Sequence, residues 1–246
     1  MTTAARRETT RPALSLVFPV YDEERTIGQV IESAIETGQE LFDDFEVVVV
    51  DDGSRDGTPG IIDRWSQRDA RVRVVRHPRN TGYGAALRSG LRGASGELVF
   101  FSDADLQFDL NELGVLLAHS DDFDIVAGYR SPRRDPLPRR LIARTWGMIV
   151  RVLFGLRVYD IDCAFKVFRR SILDAIPIHS IGAFVNTEIL VRASSLGASI
   201  RQVPVSHRRR LHGTPTGAHP RVLIRAVLEL SKLYRELRKR QPTQRS

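Results

Sequence analysis

The sequence predicts one α/β domain, a mostly parallel central sheet flanked by helices, with basic amphipathic helices in its C-terminal half. Three observations carry this. Segments of strand and helix character alternate along the chain, as in βαβ units. Residues 45–50 form an apolar run interrupted only by Glu46, the mark of a central strand covered on both faces. Three polar clusters fall at the ends of predicted strands, where parallel sheets bind their ligands.

Taken in order, residues 1–12 read as a flexible tail and 14–20 as a short strand containing Pro19. Residues 24–41 have helical spacing through Ile27, Val30, Ile31, Ala34 and Ile35. After the strand at 45–50 come a helix at 57–68, a strand at 72–76, a helix at 82–91 and a strand at 97–102. A helix at 111–119 and a strand at 124–129 complete the first half. The second half is less regular. It reads as a basic amphipathic helix at 138–156, a strand at 163–169, a helix at 185–196 and a strand at 199–205. A Gly/Pro-containing loop at 207–219 leads to a long helix at 220–240, with Leu223, Val227, Leu230, Tyr234 and Leu237 along one stripe. Residues 241–246 are a second tail, which leaves a single domain at 13–240 with no internal repeat.

A length of 246 residues is ample to bury a core. The net charge of +7 conceals a division: residues 1–129 carry −10 and residues 130–246 carry +17. A uniformly basic nucleic-acid binder would not look like this. The basic half should meet something anionic, and the acidic half suits a cation. One cysteine, Cys163, excludes an internal disulfide and a cysteine-built zinc site, and it fits a reducing, cytoplasmic compartment. The first residues lack the apolar core of a secretory signal, and no apolar run approaches the roughly 20 residues of a membrane span. The expectation is a soluble or peripheral protein. All but three of the basic residues, Lys166, Lys232 and Lys239, are arginine, the better bidentate phosphate binder.

The three clusters are Pro19-Val20-Tyr21-Asp22-Glu23-Glu24, Asp51-Asp52-Gly53-Ser54 and Asp103-Ala104-Asp105-Leu106-Gln107. If strand geometry continues through them, Asp103 and Asp105 point to one face. Two carboxylates with the amide oxygen of Gln107 suit a hard divalent cation, Mg²⁺ or Mn²⁺, able to bridge a diphosphate. The alternative is that Asp103 caps the next helix and Asp105 is solvated. No G-x-G-x-x-G follows the first strand, which argues against a dinucleotide fold. Gly82-Tyr83-Gly84, after the third strand, is either a helix start needing small residues or a ligand contact.

With these residues in view, the chain resembles the family 2 glycosyltransferases of GT-A (Rossmann-like) fold, in particular the dolichol-phosphate mannose synthase-like and polyprenyl-phosphate glucosyltransferase group. The likeness spans roughly residues 14–230. It rests on Phe18 to Glu24, Val49 to Thr58, Asn80 to Leu87, Asp103 to Gln107 and Asp162-Cys163-Ala164-Phe165-Lys166, in that order and spacing. The resemblance implies that Pro19, Tyr21, Glu23 and Asp52 hold the nucleoside, with Val50 and Ala104 also at the donor. It implies that Asp103 contacts the donor, and that Asp105 and Gln107 hold the metal. Where the family often continues with His-Pro-Pro, this chain has Phe108-Asp109-Leu110, which puts the next helix start in question.

The second half opens with Arg130, Arg133, Arg134, Arg139, Arg140 and Arg144. Arg140, Arg144 and Arg151 share one face of the predicted helix, and Ile142, Trp146, Ile149 and Leu153 form another. Periodicity allows either an interfacial membrane helix or a packed helix with a solvated arginine face. The resemblance favours the first and assigns Arg130, Arg139 and Arg140 to an acceptor phosphate. His207 to Gly213 resembles the family's mobile loop, with Arg210 placed to reach the donor diphosphate and Thr216 where the family has lysine. The helix at 220–240 carries seven basic residues, suited to anionic lipid or to solvent.

The implied reaction is an inverting transfer of a hexose from a GDP-mannose- or UDP-glucose-type donor to polyprenyl phosphate, with Asp103, Asp105, Arg130 and Arg210 as catalytic residues. Because the acceptor is already anionic, no base is required, and Glu188 reads as a partner orienting arginines. The expected setting is peripheral on the cytoplasmic face of an anionic membrane, with or without a membrane-anchoring partner protein and without nucleic acid. Two other readings stand beside this one: a family 2 transferase acting on a soluble or polysaccharide hydroxyl, and a non-catalytic basic protein binding polyanions or membrane.

Overall fold

The structure, a computed structural model, describes residues 13–132, 137–209 and 220–240; the side chains of 137–139, 220, 221, 223 and 240 stand outside that description. Seven strands form one sheet: β1 (Leu14–Val20), β2 (Phe45–Asp51), β3 (Val72–Arg76), β4 (Leu98–Ser102), β5 (Ile125–Arg130), β6 (Phe165–Arg169) and β7 (Ile200–Val205). Their spatial order is β3-β2-β1-β4-β6-β5-β7. All neighbours are parallel except at β6, which runs antiparallel to both β4 and β5. The mostly parallel α/β sheet expected from the sequence is therefore present, with one reversed strand inserted between its halves.

Side chains alternate between the two faces of each strand. Leu14, Leu16, Phe18 and Val20 of β1 join one core with Val47, Val49, Phe100 and Val126. Helix α1 (Ile27–Leu41) covers that face with Ile27, Val30, Ile31, Ala34 and Ile35, the stripe its spacing predicts. Ile62 of α2 (Thr58–Arg68) packs on the same side. Val17, Val48, Val50, Val99 and Phe101 face the opposite core, roofed by α3 (Tyr83–Gly93) and by helices of the second half. Every strand residue from Phe45 to Asp51 is buried, which is why Val47 to Val50 read as an apolar run, with the buried carboxylates of Glu46 and Asp51 on either side.

Some boundaries differ from the sequence reading. Residues 24–26 belong to a turn, and α1 begins at Ile27. The helix expected at 111–119 is a 3₁₀ turn, Leu110–Glu112, followed by a short α4 (Leu113–Leu117). Asp109 caps it by accepting the amide of Asn111 at 3.2 Å, so the unusual Phe-Asp-Leu stretch supplies its own helix start. A short α6 (Arg170–Ala175) went unread.

The larger corrections concern the two basic helices. In α5 (Leu137–Phe154) the packed residues are Trp146, Val150, Leu153 and Phe154. Ile142 and Ile149, expected on that stripe, are exposed, and with Leu141, Met148 and Val152 they form an outward apolar face. In α8 (Pro220–Arg240) Leu230 and Leu233 are buried, whereas Val227 is exposed with Ile224 and Leu228. Between them α7 (Val185–Ser195) is buried almost throughout. Among the described residues no helix is long and apolar enough to cross a membrane.

Candidate active site

The carboxyl ends of β1 and β2 lie side by side, with Val20 opposite Asp51. The two turns that follow are laced together. The Asp22 amide bonds Ser54 Oγ at 3.0 Å, and the Asp22 carboxylate accepts the Arg55 amide at 2.7 Å. The Glu23 amide bonds Thr58 Oγ1 at 2.9 Å, and Glu24 accepts the Gly57 amide at 2.8 Å. Asp22 adopts a left-handed φ of 54°, a conformation aspartate tolerates better than most residues. Tyr21 emerges from this knot 38% exposed, Pro19 lies within β1, and the Glu23 carboxylate accepts from Thr26 Oγ1 at 3.1 Å.

Asp52 is buried and organises the next turn. Its oxygens accept the Thr81 amide at 2.9 Å, Thr81 Oγ1 at 2.6 Å and the Gly82 amide at 2.8 Å. His77 Nδ1 lies 2.6 Å from the same carboxylate, and His77 Nε2 lies 2.8 Å from Ser89 Oγ. Asp52 thus ties the end of β2 to the turn after β3 and to α3. A cleft of about 390 Å³ opens beside this knot, lined by Asp51, Ser54, Arg76, His77 and Asn80 among others. Val50, expected at the donor, is fully buried, and its side chain faces α3 at Gly90.

Gly82 and Gly84 owe their identity to packing. Gly82 has a φ of 102°, and a Cβ there would stand 2.4 Å from the Ile181 carbonyl oxygen. At Gly84 a Cβ would meet the Gly182 oxygen at 2.6 Å. Tyr83, held between them, lies beside Asp103 and Asn186; burial first, and then the Asp103 charge, push its phenol well above the usual tyrosine value.

Asp103 to Gln107 follow β4. Ala104 and Asp105 are buried, and Asp105 accepts the Gln107 amide at 3.1 Å across Leu106, whose φ is 59°. Gln107 is paired in both directions with Arg208: the Arg208 amide donates to the Gln107 carbonyl at 2.8 Å, and Gln107 Nε2 donates to the Arg208 carbonyl at 3.0 Å. The Arg208 guanidinium bonds Asp109. The chain therefore enters the 210–219 segment beside the Asp105 turn. Arg210 itself lies outside the described residues, as do Arg133, Arg134 and Thr216.

This donor set suits a divalent cation of the Mg²⁺ or Mn²⁺ kind. Among the described residues no three His, Cys, Asp or Glu side chains converge on one point. Such a cation is commonly held by one or two carboxylates with substrate phosphates completing its shell. Asp105 fits as the carboxylate. Gln107 has its amide nitrogen engaged by Arg208, so its oxygen is the atom it can offer a metal.

On the basic side, Arg130 ends β5 and forms a two-point pair with Asp160, Nε to Oδ2 at 2.6 Å and Nη2 to Oδ1 at 2.8 Å. Both side chains are 6% exposed. Arg139 and Arg140 fall in the first turn of α5, where Arg140 is exposed; the side chain of Arg139 is outside the described residues. Lys166 is buried on β6, donating to the carbonyls of Ile161 and Cys163 across the Phe101 ring. Burial lowers its ammonium pKa and raises the Cys163 thiol to about 12. Glu188 pairs with Arg192 at 2.8 Å. Burial pushes the Glu188 carboxyl up, but the Ser180 and His179 amides and Arg192 outweigh it and hold it below the usual range. Sequence reasoning missed Asp160 and His77, whose partners lie 30 and 25 residues away, and the bond of Arg192 to Glu236, 44 residues away, all beyond any local pattern.

Comparison with known proteins agrees with this geometry. The model of the glycosyl transferase family 2 matches residues 15–176. Undecaprenyl-phosphate 4-deoxy-4-formamido-L-arabinose transferase of Pseudomonas fluorescens is 32% identical over 202 residues, covering 81% of this chain and 59% of that protein. Glycosyltransferase AglD of Haloferax volcanii is 33% identical over 202 residues, 78% of this chain and 32% of its own length. The chain thus spans about three fifths of the arabinose transferases it matches, and less of AglD. Glucosyl-3-phosphoglycerate synthase from Mycobacterium tuberculosis, solved with Mn²⁺, uridine diphosphate and phosphoglyceric acid, superimposes with a TM-score of 0.66 at 24% identity, over 92% of this chain and 76% of its own. That likeness establishes the GT-A fold. By the family model and by relatives above 30% identity, this chain belongs to glycosyl transferase family 2.

Proposed function

We propose that this chain transfers a hexose from a nucleotide sugar to the phosphate of a polyprenyl phosphate at a membrane surface, inverting the anomeric carbon. The observation that supports it most is the junction of Gln107 with Arg208: it sets the Asp103–Gln107 carboxylates against the start of the arginine-bearing 208–210 segment. A donor diphosphate requires both, carboxylates for its cation and guanidinium groups for its oxygens. The names of the relatives supply the acceptor class, since one acts on undecaprenyl phosphate.

In this reading Pro19, Tyr21 and Glu23 seat the nucleoside, and Asp52 serves by fixing the turn at 77–82 around it. Asp103 contacts the donor, with Ala104 beside it, and Arg210 holds the diphosphate. Bound by Asp105 and Gln107, Mg²⁺ or Mn²⁺ supplies charge neutralisation for the departing nucleoside diphosphate. The attacking oxygen belongs to a phosphate that is anionic near neutral pH, so catalysis rests on positioning and electrostatics rather than on a side-chain base. Arg139 and Arg140 bind that phosphate together with Arg130, an arginine already oriented by Asp160. The outward face of α5, Leu141, Ile142, Met148, Ile149 and Val152 beside Arg140, Arg144 and Arg151, suits an anionic lipid surface on the cytoplasmic side.

The test is incubation with a panel of labelled nucleotide sugars, polyprenyl phosphate and Mg²⁺ or Mn²⁺. A labelled lipid is expected, lost in Asp105→Ala at least a hundredfold. Label appearing only in water-soluble products would overturn the lipid acceptor, and undiminished turnover by Asp105→Ala would overturn the metal assignment.

A further inference from the structure

Helix α8 is basic almost throughout, and Glu229 and Glu236 are its only acids. They stand two helical turns apart, on the side that buries Leu230 and Leu233. Both reach into the protein. Glu236 receives the two terminal nitrogens of Arg192 at 3.1 and 2.9 Å. Arg192 is buried, and its Nε bonds one oxygen of Glu188. The other oxygen of Glu188 accepts the amides of His179 and Ser180 at 3.0 and 2.7 Å. Glu229 faces the next residue of that segment, Ile181, and lies 3.6 Å from Arg225. Glu236 therefore bears on two successive N–H groups, those of His179 and Ser180, through Arg192 and Glu188.

The carbonyls of that segment face the donor side. Ile181 accepts the Gly84 amide at 3.0 Å, and the Ser180 and Gly182 oxygens stand against the Gly84 Cα. Gly84 opens α3 together with Tyr83, which lies beside Asp103. Asn186 of α7 lies beside the same hydroxyl. A helix that merely packed would do so at less cost with apolar residues, because burying Arg192 between two carboxylates carries a desolvation penalty. What the forked guanidinium adds is fixed geometry.

We propose that α8 belongs to the framework of the donor site: Glu236, through the positioning residue Arg192 and through Glu188, sets the 179–180 backbone beside which the Gly82–Gly84 turn, Tyr83 and Asp103 are seated. The proposal rests on the nucleotide-sugar reading of that site.

The test uses the full chain with Glu236→Gln, Arg192→Lys and Arg192→Met. Binding of UDP and of GDP, each with Mn²⁺, is measured by calorimetry, and amide exchange is followed in a peptide covering residues 80–87. Glu236 is 27% exposed, so its variant is expected to fold. It should bind the preferred nucleotide about fivefold more weakly and exchange that peptide about tenfold faster. Arg192→Lys, which keeps the charge and loses the fork, should fall between wild type and Arg192→Met. Unchanged affinity and exchange in folded Glu236→Gln would overturn the proposal, as would lowered stability with unchanged affinity. If wild type binds neither nucleotide, the donor reading fails, and the exchange rate alone then decides whether α8 seats the turn.

Discussion

At the scale of single residues, glycine separates two physical situations. Gly84 is shut in by backbone, with the Gly182 and Ser180 oxygens 2.6 and 2.8 Å from where a Cβ would stand, whereas Gly147 in α5 has nothing within 4 Å. Gly84→Ala must displace either α3 or the 180–182 backbone, and a cost of about 1–3 kcal/mol is expected, with weaker nucleotide binding. Gly147→Ala relieves helix flexibility and should stabilise by about 0.5–1 kcal/mol with unchanged binding. Urea melts of the two variants check this; equal effects would refute the packing account of Gly84. The sequence singles out Gly84 within Gly82-Tyr83-Gly84 but leaves packing and ligand contact open, because the atoms that exclude a side chain there lie almost a hundred residues away. A separation of 30 residues likewise hides Asp160 from Arg130. The clusters at Asp51, Asp52, Asp103 and Asp105, by contrast, were legible, because each follows its strand directly.

At the scale of elements, the strands were legible because burial on both faces leaves a run of apolar residues that little else produces. The amphipathic helices were harder. Helix α5 carries apolar residues on two faces, so a 3.6-residue period fits Ile142-Trp146-Ile149-Leu153 as readily as the packed set Trp146, Val150, Leu153 and Phe154. Only the neighbours decide: Trp146 donates to Thr187 of α7 at 3.0 Å and meets Phe184 edge-on, while Met148 and Val152 face outward, 60% and 78% exposed. If that outward face meets lipid, Met148→Glu with Val152→Glu should reduce binding to vesicles containing phosphatidylglycerol about tenfold or more, with no loss of melting temperature. Flotation at low and high salt measures it, and binding should weaken as salt rises. Undiminished flotation by the double variant would show that the face does not contact the bilayer.

At the scale of the whole molecule, the sheet has two ends with different tasks. Its carboxyl end carries the turns of the candidate site. Its amino end is closed by Glu46, which is buried at the start of β2 and binds Ser15 Oγ at 2.6 Å, Ser95 Oγ at 2.8 Å and Arg73 at 2.6 Å, as well as the Ser95 amide. One carboxylate thus joins β1, β2, β3 and the approach to β4. The order of strands was not legible, since nothing local in Phe165 to Arg169 shows that β6 runs backwards between β4 and β5. A clamp that depends on that order was equally hidden. Burial pushes the Glu46 carboxyl up, but Ser15, Ser95 and Arg73 outweigh it and hold its pKa below the ordinary 4.5. A carboxyl lowered by folding stabilises fully above its unfolded pKa, and that contribution is lost as pH falls through the folded value. Glu46→Gln should therefore cost about 2–3 kcal/mol at pH 7, where charge-assisted bonds are replaced by weaker neutral ones. The gap between wild type and variant should narrow as pH drops below 4.5, because wild type then loses what the variant never had. Urea unfolding from pH 7 down to about pH 3.5 follows that gap. A gap constant with pH would mean that packing, and not the ionised carboxylate, is what Glu46 contributes. Nucleotide binding at pH 7 should remain, since the clamp lies at the end of the sheet away from the donor turns.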